Sequence, residues 1–293
     1  MSSQFFYFAY GLHIRADFAL WPWGARESQR GPVADVVVEL VASDEVLPEL
    51  GFGPGRRDAV LDWPGVGVFR IERGERIAVR PDIGSTIDEI ALIAAGAAFA
   101  LLLEQRGHAI LHGSCVRIGD EAIALLGPSG SGKSTTAATL RDRGHSLLSD
   151  GMTVVDLSNG DLLALPGPPH FKLWPDAAQS LSVTPSSSHP IARHEEKRWY
   201  DARGGVAIGP ARIRRVYLLA PGRGVQLEPL SSAAALVGLV QNYFLADFAD
   251  RQGREFILHR CAKLAAGVAV CRLRRGEVLS DLPAVLAELE RSG

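Results

Sequence analysis

Alternating hydrophobic and polar positions dominate the first third of the chain and predict β-strands. Residues 66–71 and 76–80 alternate with a period of two around a turn at 73–75, and residues 34–40 form a valine-rich run. Because side chains alternate between the two faces of a strand, such runs fit a sheet with one buried face. We therefore predict a small β-rich N-terminal domain over residues 1–85.

A long apolar stretch over residues 90–103 ends this pattern and predicts a helix. Ser85 and Thr86 are suitable N-caps, acidic residues follow in the first turn, and Gly107 is a suitable stop. The stretch is shorter than the roughly 20 apolar residues that a membrane span needs. We predict a buried connecting helix over residues 86–107.

The remaining residues, 108–293, alternate between strand-like and helix-like patterns, which is typical of an α/β domain. Gly119 and Asp120 have the character of a hairpin turn, and Gly144 of a helix stop. The predicted strands are 109–112, 114–118, 122–126, 145–149 and 212–220, and the predicted helices are 134–143, much of 232–264, and a segment near the C-terminus.

Composition and charge exclude several classes of protein. The net charge is −2, whereas proteins that bind nucleic acid usually carry a basic excess. Cys115, Cys261 and Cys271 include no CxxC pair, so neither a disulfide framework nor a zinc site is predicted. The N-terminus has no basic region before its apolar stretch, unlike a secretory signal. We expect a cytoplasmic protein that binds neither nucleic acid nor membranes.

One motif carries clear chemistry. Residues 127–134 fit G-x-x-x-x-G-K-[ST], the P-loop pattern, between a predicted buried strand and a predicted helix. Glycines let backbone N–H groups converge on phosphate oxygens, Lys133 can reach the β- and γ-phosphates, and the Ser134 hydroxyl can bind Mg²⁺. The predicted nucleotide-binding residues are Gly127, Pro128, Ser129, Gly130, Ser131, Gly132, Lys133, Ser134 and Thr135. An accidental glycine-rich turn is the alternative.

Two further residues are candidates for catalysis. Asp150 ends the strand after the P-loop helix, where a carboxylate could bind Mg²⁺ or accept a hydroxyl proton. It could instead cap the turn at Gly151. His112 ends the strand before the P-loop strand, and strand ends at this edge of a parallel sheet line the ligand crevice. The alternative for His112 is a histidine of the core.

These residues together resemble the HPr kinase/phosphorylase family. The resemblance rests on four segments in order: His112-Gly113, Gly127–Ser134, Arg143-Gly144-His145 and Leu148-Ser149-Asp150. It implies the fold of that family's C-terminal kinase domain, related to phosphoenolpyruvate carboxykinase. It also implies transfer of a phosphoryl group from ATP to a serine, with Asp150 as the catalytic acid and His112 as the active-site histidine.

The β-rich N-terminal segment and residues 105–107 and 173–176 look more like the shorter relatives of that family. Some of those proteins phosphorylate a serine in the precursor of a ribosomally made peptide, including lasso peptides. The resemblance therefore implies a serine-containing peptide or small protein as acceptor, with the HPr carrier protein as the alternative. A homo-oligomer is compatible with the resemblance.

The sequence also departs from the family. The family usually has two consecutive acids at the strand tip, whereas here Gly151 follows Asp150. The glycine-rich signature associated with dephosphorylation is absent from the sequence around 165–170, which favours a kinase without phosphorylase activity.

A nucleotide-binding regulatory module and a P-loop ATPase remain alternatives. The weaker candidates are Lys197 or Arg198 as phosphate ligands, Asp176 as a substitute acid, and Arg214 or Arg215.

Overall fold

The described part of the chain is a mixed α/β structure with three sheets. The computed structural model describes residues 4–20, 23, 33–42, 58–158, 160–181, 189–190, 197–202, 204–276 and 281–292. The chain forms two compact units. The first comprises Met1–His108 with Asp247–Phe256, and the second comprises Ala109–Ala246 with Ile257–Gly293.

The elements are as follows. The strands are β1 Phe5–Ala9, β2 Leu12–Ala16, β3 Val36–Leu40, β4 Asp58–Trp63, β5 Gly67–Glu72, β6 Arg76–Pro81, β7 Ala109–Leu111, β8 Gly113–Ile118, β9 Glu121–Leu126, β10 Ser146–Ser149, β11 Thr153–Asp156, β12 Leu163–Leu165, β13 His170–Leu173, β14 His189–Pro190, β15 Arg198–Asp201, β16 Ala211–Pro221, β17 Gln226–Pro229 and β18 Ala269–Arg275. The α-helices are α1 Ile87–Ile93, α2 Phe99–Gln105, α3 Lys133–Asp142, α4 Pro175–Ser180, α5 Ser232–Gln241, α6 Arg251–Gly267 and α7 Leu282–Ser292.

The first unit contains a six-stranded sheet in the order β1-β2-β3-β6-β5-β4. The strands predicted from the alternating pattern are present as β3, β5 and β6, and β5 and β6 form an antiparallel hairpin around the predicted turn. Their inward side chains, including Phe69, Ile71 and Ile77, are fully buried. The period-two pattern therefore identified the buried face correctly.

The apolar stretch forms a helix in this unit, as predicted. Thr86 is its N-cap and forms a capping box with Glu89, so the predicted cap is confirmed. The helix is not uniform, because one π-helical turn, Ala94–Ala98, separates α1 from α2. In the described part of the chain, no helix has both the length and the apolarity to cross a membrane.

The second unit is built on a nine-stranded sheet that contains β10-β8-β9-β16-β12-β11-β7, with β18 beside β16 and β17 beside β18. Among the described strands of this sheet, the parallel pairs are β9 with β16 and β16 with β18, and the other pairs are antiparallel. The expectation of a parallel sheet at His112 was therefore wrong. The two-residue turn between β8 and β9 is too short for a crossover, so these strands form an antiparallel hairpin.

The register of this sheet brings several strand ends to one edge. Gly113, the first residue of β8, pairs with Leu126, the last residue of β9. Leu218 of β16 pairs with the same leucine, and β18 continues alongside β16 to Arg275. β10 is antiparallel to β8, so it ends at the edge where β8 begins. Residues 112, 127, 150 and 275 thus lie at or beside that edge.

Helices α3 and α7 pack in one hydrophobic core with the sheet. This core includes the buried residues Leu125, Leu140, Tyr217 and Leu286. The three-stranded sheet, in the order β13-β15-β14, contributes Phe171 and Tyr200 to the same core. Since α3 begins directly after the glycine-rich loop, the core fixes the position of that loop.

Candidate active site

The glycine-rich loop connects β9 to α3. Gly130 and Gly132 have φ angles of 83° and 85°, a backbone conformation that residues with a Cβ rarely adopt. Gly132 is the N-cap of α3, and a Cβ atom there would lie 1.9 Å from the guanidinium of Arg275. Glycine is therefore favoured at this position by the backbone conformation, and a larger residue would also displace the Arg275 guanidinium.

Arg275, at the end of β18, was not predicted from the sequence. Its Nη2 donates a hydrogen bond of 2.9 Å to the carbonyl oxygen of Ser131, and its side chain is buried. Burial lowers the pKa of Arg275, and the charge of Asp281 opposes that effect. The Ser131 hydroxyl is buried without a hydrogen-bond partner among the described residues. The signal available in the sequence was the period of two that places Arg275 on the same strand face as the apolar residues Cys271 and Leu273.

Lys133 begins α3, and its side chain folds back over the loop. Its Nζ donates hydrogen bonds of 2.7 Å and 2.9 Å to the carbonyl oxygens of Gly127 and Pro128. Burial lowers the pKa of Lys133 to about 8; Asp150 raises it and Lys197 lowers it further. The ammonium group is thus held at the start of the loop, within the electrostatic influence of one carboxylate.

The two residues that follow lie in the first turn of α3. Ser134 and Thr135 are both half-buried, and the Thr135 carbonyl oxygen accepts a hydrogen bond from the Thr139 hydroxyl at 2.8 Å. The N-terminus of a helix carries partial positive charge and exposes N–H groups that have no partner within the helix. This end of α3 can therefore receive an anion.

Asp150 is the buried carboxylate of the site. It follows β10 directly, and its side chain is 5% exposed. Its Oδ1 accepts a hydrogen bond of 2.5 Å from the Ser114 hydroxyl, and its Oδ2 accepts one of 2.7 Å from the backbone N–H of Lys172. Because each carboxylate oxygen accepts one of these hydrogen bonds, the orientation of the Asp150 side chain is fixed. Sequence reasoning missed Ser114 and Lys172, since both partners depend on pairing between distant segments.

His112 lies between β7 and β8. Its backbone N–H donates to the carbonyl oxygen of Asn242 at 2.7 Å, and its ring lies 5.8 Å from the ring of Phe244. Although its ring has accessible surface, partial burial lowers the pKa of His112 to about 4, and the positive charges of three lysines contribute. These lysines are Lys133, Lys172 and Lys197. The imidazole is therefore neutral at neutral pH.

Two of these lysines lie on tryptophan rings around the loop. Lys197 donates a hydrogen bond of 3.0 Å to the Ser129 hydroxyl, and its Nζ lies 5.3 Å from the ring of Trp174. The Nζ of Lys172 lies 4.3 Å from the ring of Trp199. The same Lys172 side chain would be 3.4 Å from a Cβ at position 151. A lysine thus approaches Gly151, the residue that follows the buried carboxylate.

The other candidates lie away from these contacts. Arg143 and His145 contact Glu290 of α7 at 2.8 Å and 3.1 Å, which joins the end of α3 to the C-terminal helix. Arg214 approaches Glu121 at 3.5 Å, and Arg215 lies over Tyr217. Residues 182–188 and 191–196, which precede the candidates Lys197 and Arg198, lie outside the described residues.

The side chains of the site could bind Mg²⁺ only with few protein ligands. In the described part of the chain, no group of three or more His, Cys, Asp or Glu side chains is placed to hold a metal ion. Mg²⁺ often uses one or two protein ligands and takes the rest from substrate phosphates and water. The Ser134 hydroxyl and the Asp150 carboxylate are chemically suited to that mode.

The comparisons with known proteins leave the family unassigned. No family model matches the chain, and no curated protein matches it. Among solved structures, the chain is similar to the HPr(Ser) kinase/phosphatase from Coxiella burnetii. The match covers 62% of this chain and 90% of that chain, with 12% identity and a TM-score of 0.33. This is a distant structural relationship.

Proposed function

We propose that this protein is an ATP-dependent kinase that transfers the γ-phosphoryl group to a serine hydroxyl of a peptide or small protein. The proposal rests chiefly on one observation: a glycine-rich loop with the motif G-x-x-x-x-G-K-[ST] joins β9 to α3, with Asp150 at the same sheet edge. Strand, loop, helix and lysine together are the arrangement that binds the phosphates of a nucleotide.

Each residue of the site has a role in this proposal. The N–H groups of the loop and of the first turn of α3 bind the phosphates, and Lys133 turns from the loop carbonyls to the β- and γ-phosphates. Mg²⁺, held by Ser134, phosphate oxygens and water, would neutralise part of the phosphate charge and leave the Asp150 carboxylate free to act as the base. Lys172 and Lys197 add positive charge where negative charge accumulates during transfer.

Transfer requires a new bond from the serine oxygen to the γ-phosphorus while the bond to the β–γ bridging oxygen breaks, releasing ADP. The hydroxyl proton passes to the Asp150 carboxylate. Ser114 and the Lys172 backbone orient that carboxylate through the hydrogen bonds described above. His112 is neutral at neutral pH and can accept or donate a hydrogen bond to the acceptor, without adding charge.

Changing Lys133→Ala tests the assignment of the loop. We expect phosphoryl transfer to fall by at least about 10²-fold, because a positioned charge on the transferring group is lost. The measurement is incorporation of γ-labelled phosphate into serine peptides, with calorimetry for ATP affinity. Lys263→Ala is the matched control, since Lys263 is an exposed lysine of α6. Equal transfer by the wild type and the Lys133 variant would refute the assignment.

A nucleotide-binding module without kinase turnover is the second candidate. The observation that favours it is the approach of Lys172, instead of an acid, to position 151. Such a module would bind ATP and transfer no phosphate to any serine peptide. An ATPase would instead release phosphate to water at the same rate with and without peptide, so measuring free labelled phosphate beside the labelled peptide separates the three functions.

A further inference from the structure

A cavity of about 570 Å³ opens beside the glycine-rich loop within the second unit. Its walls are the start of the loop, Gly127 and Pro128, the end of β16, and one face of α5. Gly238 on α5 allows this helix to lie against β16, because a Cβ there would be 2.1 Å from Leu218. The packing of α5 against β16 therefore forms one side of the cavity.

The surface of this cavity is chiefly apolar. Alanine, valine, leucine, glycine and proline residues supply most of its lining. Several of its polar groups are already engaged within the protein. The Asn242 amide nitrogen donates to the Gly238 carbonyl oxygen at 2.8 Å, and Arg272 forms an ion pair with Glu228 at 3.0 Å. An apolar occupant fits this lining better than one that needs several hydrogen bonds.

The position of Lys133 indicates which end of a triphosphate faces the cavity. A P-loop lysine reaches the β- and γ-phosphates. Here its ammonium group is hydrogen-bonded to the carbonyl oxygens of Gly127 and Pro128, the two loop residues that line the cavity. The cavity therefore lies near the transferred phosphoryl group, where an acceptor must bind, and the nucleobase lies at the other end of the nucleotide.

His112 lies beside the cavity, at the sheet edge that carries Asp150. The backbone of His112 is hydrogen-bonded to Asn242, which lines the cavity. The histidine follows β7 at the sheet edge where the loop begins, and Asp150 lies at the same edge. An acceptor that occupied the cavity would thus extend from it toward both groups.

We propose that this cavity binds a bulky apolar side chain of the acceptor peptide, close in sequence to the phosphorylated serine. The inference rests on the proposed kinase function and adds a determinant of acceptor specificity. Val237 and Ala234 of α5 are the residues that would contact this side chain. Filling the cavity should remove the preference for such peptides and leave nucleotide binding intact.

The test uses a library of single-serine peptides in which each neighbouring position in turn holds Leu, Phe, Ala or Asp. For the wild type, we expect kcat/KM at one position to be roughly tenfold higher with Leu or Phe than with Ala. Val237→Trp should abolish this preference. Val237 is 55% exposed, so the substitution spares the core, and Ala234→Leu is a second variant with the same expected result. Ser232→Trp is the control, since Ser232 is exposed on α5 and is not among the lining residues.

Each alternative outcome overturns the inference. A wild-type enzyme that uses Leu, Phe and Ala equally at every position has no apolar acceptor site. Weaker ATP binding by Val237→Trp with the peptide preference intact would assign the cavity to the nucleobase. ATP binding without transfer to any peptide would exclude a peptide acceptor. Failure of the proposed kinase function shows as no transfer to any peptide, whereas failure of this inference alone shows as transfer that does not depend on the neighbouring side chain.

Discussion

At the scale of single residues, Lys133 determines how nucleotide binding should depend on pH. Its pKa of about 8 means that the ammonium group is charged at pH 7 and loses its proton as the pH rises through 8. Phosphates favour the charged form, so binding above pH 8 requires proton uptake. We expect ATP affinity to fall by about tenfold per pH unit above 8.

Calorimetry in buffers with different ionisation enthalpies measures both the affinity and the protons taken up. The control is Lys133→Arg, because the guanidinium stays charged across this range and should remove the pH dependence. An affinity that is constant from pH 7 to about 9.5 in the wild type would show that Lys133 does not contact the phosphates.

Asp150 is the second residue whose role can be separated from its structural contacts. Asp150→Asn preserves the shape and can keep hydrogen bonds to Ser114 and to the backbone of Lys172. We expect ATP binding to persist and turnover to fall by about 10²–10⁴-fold, the usual contribution of a positioned base. Calorimetry and phosphate transfer to peptide are the measurements.

Asp176→Asn is the matched control for this variant. Asp176 lies in the first turn of α4 and was the alternative acid suggested by the sequence, so its variant should keep full activity. If Asp150→Asn instead loses Mg²⁺-dependent ATP binding, the carboxylate acts chiefly as a metal ligand, and the proton acceptor must be sought elsewhere, with His112 first.

At the scale of elements, the sequence predicted those helices, turns and strands whose formation depends on neighbouring residues. The hairpin β5–β6, the capped helix α1, and the succession of β9, loop and α3 each depend on neighbouring residues, and each was predicted close to its observed bounds. Turn residues, caps and periodicity act within a few positions of one another, so one sequence is enough to recognise them.

The elements that the sequence did not reveal depend on distant pairing. β18 lies beside β16, yet its sequence contains three arginines and no strand was predicted there. Its pairing, and hence the position of Arg275, is set by strand order in the sheet. The same holds for Lys172, whose backbone meets Asp150 only because β13 ends near β10 in space. Periodicity carries no information about such neighbours.

At the scale of the whole molecule, every residue of the candidate site belongs to the second unit. We therefore expect MgATP to slow hydrogen exchange at residues 127–135, around Asp150 and at the end of β18. Exchange in the six-stranded sheet of the first unit should stay unchanged, because ligand binding protects the amides it contacts or stabilises. Exchange measured by mass spectrometry with and without MgATP tests this expectation.

Lys133→Ala supplies the control for that experiment, since protection should disappear with nucleotide binding. Protection that is strongest in strands β1–β6 would contradict the assignment of the nucleotide to the second unit. The same measurement with an apolar serine peptide should add protection on α5, whose exposed residue Val237 lines the cavity.

The hydrogen bond from Arg275 to the loop also has a consequence for synthesis on the ribosome. Arg275 is translated 144 residues after Ser131, whose carbonyl oxygen it binds. At roughly 5–20 residues per second, a nascent chain carries the glycine-rich loop for about 7–30 s before this arginine exists. During that interval β18 cannot join the sheet, and the loop lacks the side chain that packs against Gly132. The proposed nucleotide site is therefore complete only after β18 has been translated, so that unfinished chains hold an incomplete site.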